Sequence, residues 1–319
     1  MSDAHLIVPM QRPFASGFAD SLVRGLMADP KEIGCKYFYD AQGSTLFDAI
    51  CALPEYYQTR TEVALLRRHA PEIARLIGPA AEIVEFGAGS LRKVRILLDA
   101  LTQPHGYRPI DISGTYLRGV ASDLAEEYPA LPIHPVVADF TQPFSLPPAA
   151  EGTRRAGFFP GSTIGNFRTD AAAALLRRMR KMLNGGGLLI GVDLIKDPQI
   201  LHSAYNDAAG VTAAFNKNLL ARANRELAAN FNLDDFAHYA PYNPRAQRIE
   251  MYLMSLKRQI VTLNGQSISF APGEAIHTED SHKYSVEGFR ELAAEAGFRP
   301  RAVWTDSDRL FSIHWLESC

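Results

Sequence analysis

The stretch AEIVEFGAGS, residues 81–90, constrains the fold more than any other part of the chain. A short apolar run breaks at Gly87 and Gly89, and KVRILLDAL follows with apolar residues at helical spacing. Strand, glycine turn, helix is how a parallel α/β sheet begins, because neighbouring parallel strands need a crossover that a helix supplies. The alternation continues through strands over YRPIDIS, IHPVVADF and LLIGVDLI, with AGFFPGSTIGN before the last of these. Helices are predicted near LRGVASDLAEEY and AAAALLRRMRKML. Nearly continuous apolar strands predict a sheet covered on both faces.

Two regions do not follow this rhythm. The first sixty residues mix short helical pieces with an aromatic cluster, KYFYDAQGSTLFDAI followed by LPEYYQTRTE. From Lys196 to about Tyr284 come helices rich in Asn and Asp, then RIEMYLMSLKRQIVTL, which is read as a β-hairpin. The α/β style returns with a helix over VEGFRELAAEAG and strands over RAVWTD and LFSIHWLE. The expected division is therefore an inserted domain. Residues 1–61 and 196–285 build a second domain, and residues 62–195 with 286–319 build the α/β core. With 319 residues, 47% of them hydrophobic, the chain can bury two cores.

A net charge of −2 supplies no broad positive field, so nucleic acid is not an expected partner. The basic run Arg177, Arg178, Arg180 and Lys181 alternates with Leu175, Leu176, Met179 and Met182, as in an amphipathic surface helix. No apolar run reaches the roughly 20 residues needed to span a bilayer. MSDAHLIVPMQRPF lacks the pattern of a signal peptide. Cys35, Cys51 and Cys319 are an odd set without a C-x-x-C pair, as in a reducing compartment. A cytoplasmic monomer is expected.

The strand ends carry the chemistry. A dinucleotide fingerprint wants a third glycine three positions after Gly89, and Arg92 stands there. Glu85, two residues before Gly87, places a carboxylate where a cationic ligand would lie. This favours S-adenosylmethionine, with its ammonium and sulfonium, over a diphosphate. Asp111 ends the next strand, where a carboxylate accepts from both ribose hydroxyls, and Asp139 with Phe140 ends the third, suited to an adenine edge. Singly, each has an ordinary alternative: a tight turn, a helix cap or a core ring. Together at successive strand ends they mark a ligand site.

The segments KYFYDAQGSTLFDAI, LPEYYQTRTE, FFPGSTIGN, AYNDAAGVTAAFNKNLL, RIEM and TEDSHKY resemble the L-histidine Nα-methyltransferases of ergothioneine biosynthesis, nearly end to end. The resemblance implies an α/β fold: a Rossmann-like class I methyltransferase sheet with an inserted second α/β substrate-binding domain. It implies cofactor contacts at Gly87, Lys93, Asp111, Asp139 and Phe140, with Lys93 near the methionine carboxylate of S-adenosylmethionine. It implies histidine contacts at Tyr56, Asn166, Tyr205, Glu279 and Ser281, with Tyr39 and Met251 lining the same pocket. Glu279 and Ser281 are spaced i, i+2, so on an extended segment they point the same way and together can hold both imidazole nitrogens.

Methyl transfer from a sulfonium is an in-line displacement that needs alignment and exclusion of water, with no metal or covalent intermediate. Tyr39, Tyr56 and Asn166 are the candidates to orient the amine, and either tyrosine could assist proton removal. The resemblance implies three transfers, giving the mono- and dimethyl intermediates and then Nα,Nα,Nα-trimethyl-L-histidine, hercynine. The competing expectations are a methyltransferase for tryptophan or another amino acid, and a noncatalytic S-adenosylmethionine sensor.

Overall fold

The computed structural model describes residues 14–89 and 91–319. The amino-terminal stretch read above for a signal lies outside them up to residue 13. The chain forms two compact units, one of Gln58–Ile195 with Lys283–Cys319, the other of the described residues up to Tyr57 with Lys196–His282. Among the described residues no helix is long and apolar enough to cross a membrane.

The first unit is built on seven strands: β1 (Glu82–Phe86), β2 (Gly106–Asp111), β3 (Val136–Val137), β4 (Arg155–Phe159), β5 (Gly187–Asp193), β6 (Phe298–Thr305) and β7 (Phe311–Ser318). Their order in the sheet is β6-β7-β5-β4-β1-β2-β3. The first five run parallel, and β7 is antiparallel to both β5 and β6. A dinucleotide-binding sheet of order 3-2-1-4-5-6 lacks this antiparallel insertion. The arrangement agrees with the Rossmann-like methyltransferase sheet that the resemblance implies.

Five helices cover it: α1 (Tyr57–Ile77), which enters the unit at Gln58, α2 (Arg92–Ala100), α3 (Gly114–Glu127), α4 (Thr169–Leu183) and α5 (Val286–Glu295). Side chains alternate across a strand, so each face of the sheet needs its own cover. On one face Val84, Phe86, Ile110 and Ile190 pack under Leu175, Leu176 and Met179 of α4 and Phe289 and Leu292 of α5. On the other, Ile83, Tyr107, Phe158 and Trp315 pack under Leu65 and Leu66 of α1 and Val94 and Leu97 of α2. The basic residues of α4 thus ride a helix whose apolar stripe is fully used.

Asp193, at the end of β5, gathers the points where the chain leaves and re-enters this unit. Its carboxylate meets Lys283 Nζ at 2.8 Å, with both side chains fully buried, and Gln58 Nε2 at 3.5 Å. Its N–H donates to Ser162 Oγ at 2.9 Å. Leu194 and Tyr284 form a parallel bridge beside it.

In the second unit, Ala275–His282 pairs antiparallel with Arg248–Ser255 and parallel with Lys31–Glu32, while Phe236–Tyr239 flanks the far side. The expected hairpin within RIEMYLMSLKRQIVTL is not formed. Arg248–Ser255 and Gln259–Leu263 pair with different partners, the latter with Gln266–Phe270. Asn264 and Gly265 both have positive φ, 49° and 75°, and close a two-residue hairpin there. Asn-Gly was the turn signal to follow. The strand expected over IHPVVADF is likewise reduced to Val136–Val137, so Asp139 and Phe140 follow the edge strand rather than end it.

Candidate active site

In the first unit the residues expected at the strand ends form one cluster. Gly87 adopts φ 74°, which turns the chain sharply out of β1. A Cβ added there would lie 3.4 Å from the Phe140 ring, whereas the space beside Gly89 is open. Phe140 is held edge-on to Phe159, with ring centroids 5.6 Å apart. Asp139 accepts from the backbone N–H of Thr141 at 2.9 Å and from the Thr141 hydroxyl at 2.5 Å.

Asp111 accepts from the N–H of Ser113 at 2.8 Å, and burial pushes its carboxyl up to about 6. Glu85 is 2% exposed and accepts a hydrogen bond from the Tyr107 hydroxyl. Burial pushes it up to about 8, against the Tyr107 hydrogen bond and the charge of Lys93, with Asp111 and Glu62 adding repulsion. One of its two carboxyl oxygens is thus engaged by a protein partner.

Lys93 is the second residue of α2, where the helix dipole disfavours a cation. The compensation is Glu62, whose Oε2 lies 2.6 Å from Lys93 Nζ. Glu62 ends the motif LPEYYQTRTE, yet sequence reasoning gave it no role. Asn166 closes the short helical turn Thr163–Asn166 just after β4, half-buried.

In the second unit, the KYFYDAQG segment is shaped by the long helix Val211–Leu227. Arg222 Nη1 donates to the carbonyl of Tyr37 at 2.9 Å, and Asn218 Nδ2 donates to Asp40 Oδ1 at 2.8 Å. Asp40 also caps the helix Ala41–Ala52 by accepting from Gly43 N–H at 2.7 Å. A Cβ at Gly43 would fall 1.8 Å from the Phe38 carbonyl oxygen, so this turn accepts only glycine. Tyr39 is thereby pinned between two fixed neighbours.

The rings of Tyr39, Phe47, Tyr56, Tyr205 and Phe215 form a connected aromatic set. Tyr39 meets Phe47 and Phe215 at centroid distances of 5.6 and 5.8 Å, Phe47 meets Tyr56 at 6.2 Å, and Tyr56 meets Tyr205 at 6.5 Å. Phe47 and Phe215 were missed in the sequence, where an isolated Phe reads as core. Tyr205 is 7% exposed, and its hydroxyl lies 2.7 Å from Ser281 Oγ.

Glu279 stands directly opposite Met251 across the strand pair, and Ser281 opposite Ile249. Paired residues of antiparallel strands share a face, so the carboxylate and the hydroxyl lie on the side of the buried Met251. Burial first, and the Glu279 charge with it, raises the Tyr39 phenol well above its ordinary range. Tyr56 is raised likewise, by burial and then by Tyr205, Cys51, Tyr39 and Glu279. Both phenols are therefore neutral hydrogen-bonding groups at neutral pH.

His238, unmarked in the sequence, steadies Tyr205. Its Nδ1 lies 2.9 Å from Asn216 Nδ2 and so accepts, which leaves Nε2–H to donate to the Tyr205 carbonyl at 2.8 Å. Burial lowers its pKa and favours this neutral ring.

Residues 18–318 match the family described as histidine-specific, S-adenosylmethionine-dependent methyltransferases. The chain is 44% identical to the histidine N-alpha-methyltransferase of Mycolicibacterium smegmatis over 88% of its own length and 89% of that protein. It is 40% identical to the enzyme of the same name from Mycobacterium tuberculosis, over 91% of each. The ergothioneine biosynthesis protein 1 of Neurospora crassa is 29% identical over 90% of this chain, which spans 33% of that longer protein. With residues 18–318 matched by the family and two relatives at 40% identity or more over most of both chains, the chain belongs to the histidine-specific, S-adenosylmethionine-dependent methyltransferases.

Proposed function

We propose that the chain methylates the α-amino group of free L-histidine three times, yielding hercynine for ergothioneine biosynthesis. Bound S-adenosylmethionine supplies an electrophilic methyl group on a sulfonium. The residues that fit it are Gly87, with its left-handed turn beside the Phe140 ring, the open space at Gly89, the carboxylates of Asp111 and Asp139, and Lys93. Glu85 borders this group through its charge interactions with Lys93 and Asp111.

The observation that carries the histidine assignment is the Glu279 carboxylate on the same strand face as Ser281, whose hydroxyl is fixed by Tyr205. Carboxylate and hydroxyl together match the two nitrogens of an imidazole, whereas an indole offers one N–H. Tyr39 and Tyr56, as neutral phenols, orient the amine by hydrogen bonding rather than act as phenolates. Asn166 is assigned to the amino acid on the resemblance and on its place in the turn that follows a sheet strand. The departing proton goes to water. The series stops at three because a quaternary nitrogen has no lone pair. The odd set of Cys35, Cys51 and Cys319, without a C-x-x-C pair, supports a reducing, cytoplasmic setting.

The test is incubation with methyl-labelled S-adenosylmethionine and each free amino acid in turn, followed by mass spectrometry. Successive mono-, di- and trimethylhistidine are expected. Methylated tryptophan in place of histidine, or accumulation of monomethylhistidine alone, would overturn the reading.

A further inference from the structure

Glu62 is buried to 1% exposure in the first unit, among groups that it holds together. Its Oε2 takes the Lys93 ammonium at 2.6 Å, and the Gly161 N–H lies 3.0 Å from both of its oxygens. Gly161 has φ 79° and Ser162 φ 56°, so two consecutive left-handed residues turn the chain toward Asn166, and the Glu62 carboxylate accepts from the first of them. Room for that carboxylate exists because residue 191 is glycine: a Cβ there would stand 2.1 Å from Glu62 Oε1. A carboxylate enclosed in this way, reached by one ammonium and one backbone N–H, is a fixed post rather than a surface ion pair.

We infer that Glu62 is a positioning residue for the cofactor's amino-acid end: it sets where the Lys93 ammonium stands and holds the Gly161–Ser162 turn beside it. The inference rests on the proposed role of Lys93 toward the carboxylate of S-adenosylmethionine. An ammonium carries three donors, so Lys93 keeps donors for a ligand carboxylate while one is committed to Glu62. The fixed partner removes most of the rotamer freedom that a lysine would otherwise lose on binding. Glutamine is not an equivalent post. The Gly161 N–H contacts both oxygens, so either orientation of the amide sets its NH₂ against that donor.

The experiment compares two ligands by calorimetry in the parent, Glu62→Gln, Lys93→Ala and the double variant. S-adenosylhomocysteine carries the amino-acid end, and 5′-methylthioadenosine lacks it. Glu62→Gln is expected to weaken S-adenosylhomocysteine about tenfold, the size of one charge-assisted hydrogen bond, and methylthioadenosine by less than about threefold. In the Lys93→Ala background the same change should cost less than about twofold, because Glu62 acts through Lys93. Equal weakening of both ligands would reduce Glu62 to a structural residue, and unchanged or tighter S-adenosylhomocysteine binding would also overturn the inference. If Lys93→Ala itself leaves S-adenosylhomocysteine affinity intact, the Lys93 reading fails and takes this one with it. If Lys93→Ala weakens binding and Glu62→Gln does not, Glu62 alone is wrongly assigned. Thermal unfolding of each variant separates these outcomes from loss of fold.

Discussion

Glu82 and Glu85 sit one pleat and a half apart on β1, and the molecule treats them in opposite ways. Glu82, at the amino end, is clasped by two arginines: Arg108 Nη2 at 2.6 Å and Arg155 Nε at 2.7 Å. Burial would raise its pKa, but hydrogen bonds from Arg155 and Arg108 outweigh this and lower it. Glu85, at the carboxyl end, has a neutral phenol for its partner and is pushed up to about 8 by burial. One carboxylate is matched with charge. The other is left uncomfortable beside Glu62, Lys93 and Asp111. An α/β sheet binds ligands at the carboxyl ends of its strands, so the mismatch sits where a ligand belongs and the satisfied cluster sits where only stability is at stake.

Breaking the satisfied end should have the largest effect. Glu82→Ala strands two buried guanidiniums and is expected to cost about 3–5 kcal/mol of stability in urea unfolding. A loss within the range of a surface substitution would erase the contrast drawn here.

At the other end, Asp111→Ala should leave the fold intact and weaken S-adenosylhomocysteine binding at least tenfold, because two ribose hydrogen bonds to a charged acceptor are lost. Calorimetry with unchanged affinity would reject that role. In the parent the same affinity should decline as pH falls through about 6, where Asp111 takes up a proton and loses acceptor strength.

Glu279→Ala tests the second unit. Leaving an imidazole N–H unpaired costs roughly 1–3 kcal/mol, so the ratio of kcat/KM for histidine over tryptophan should fall by one to two orders of magnitude. A general loss of stability would lower both substrates together, so an unchanged ratio would remove Glu279 from substrate recognition.

A pH profile of stability sharpens the comparison itself. A carboxyl raised in the folded state binds its proton there and not in the unfolded chain, so stability falls as pH rises from the unfolded value near 4.5 to about 8. Glu85→Gln should remove this decline, gaining about 1.4 kcal/mol per pH unit against the parent between about pH 5 and pH 8. Parallel pH profiles for the two proteins would show that Glu85 is not held protonated.

The strand-turn-helix signal at residues 81–100 was readable because it is local: an apolar run, two glycines and a 3.6-residue period all lie in one window. The cofactor-side candidates could be named for the same reason, each at or near an expected strand end. What escaped depends on distance along the chain. Tyr107 bonds Glu85 across 22 residues, and Gly161 bonds Glu62 across 99, pairings that no local period encodes. Phe47 and Phe215 escaped because a ring packed against the candidate tyrosines and a ring in a core look alike in sequence. The hairpin was misplaced because apolar alternation over RIEMYLM outweighed the Asn264-Gly265 turn that in fact sets strand pairing.

The bridge between Leu194 and Tyr284, clamped by the Asp193–Lys283 pair, has a consequence for how such a chain can change over evolutionary time. An insertion whose ends are already tied side by side adds almost no closure entropy to its host. Residues 196–282 can therefore lengthen or shorten while β5 and its neighbours keep their register, so change in the guest segment need not be renegotiated with the host sheet.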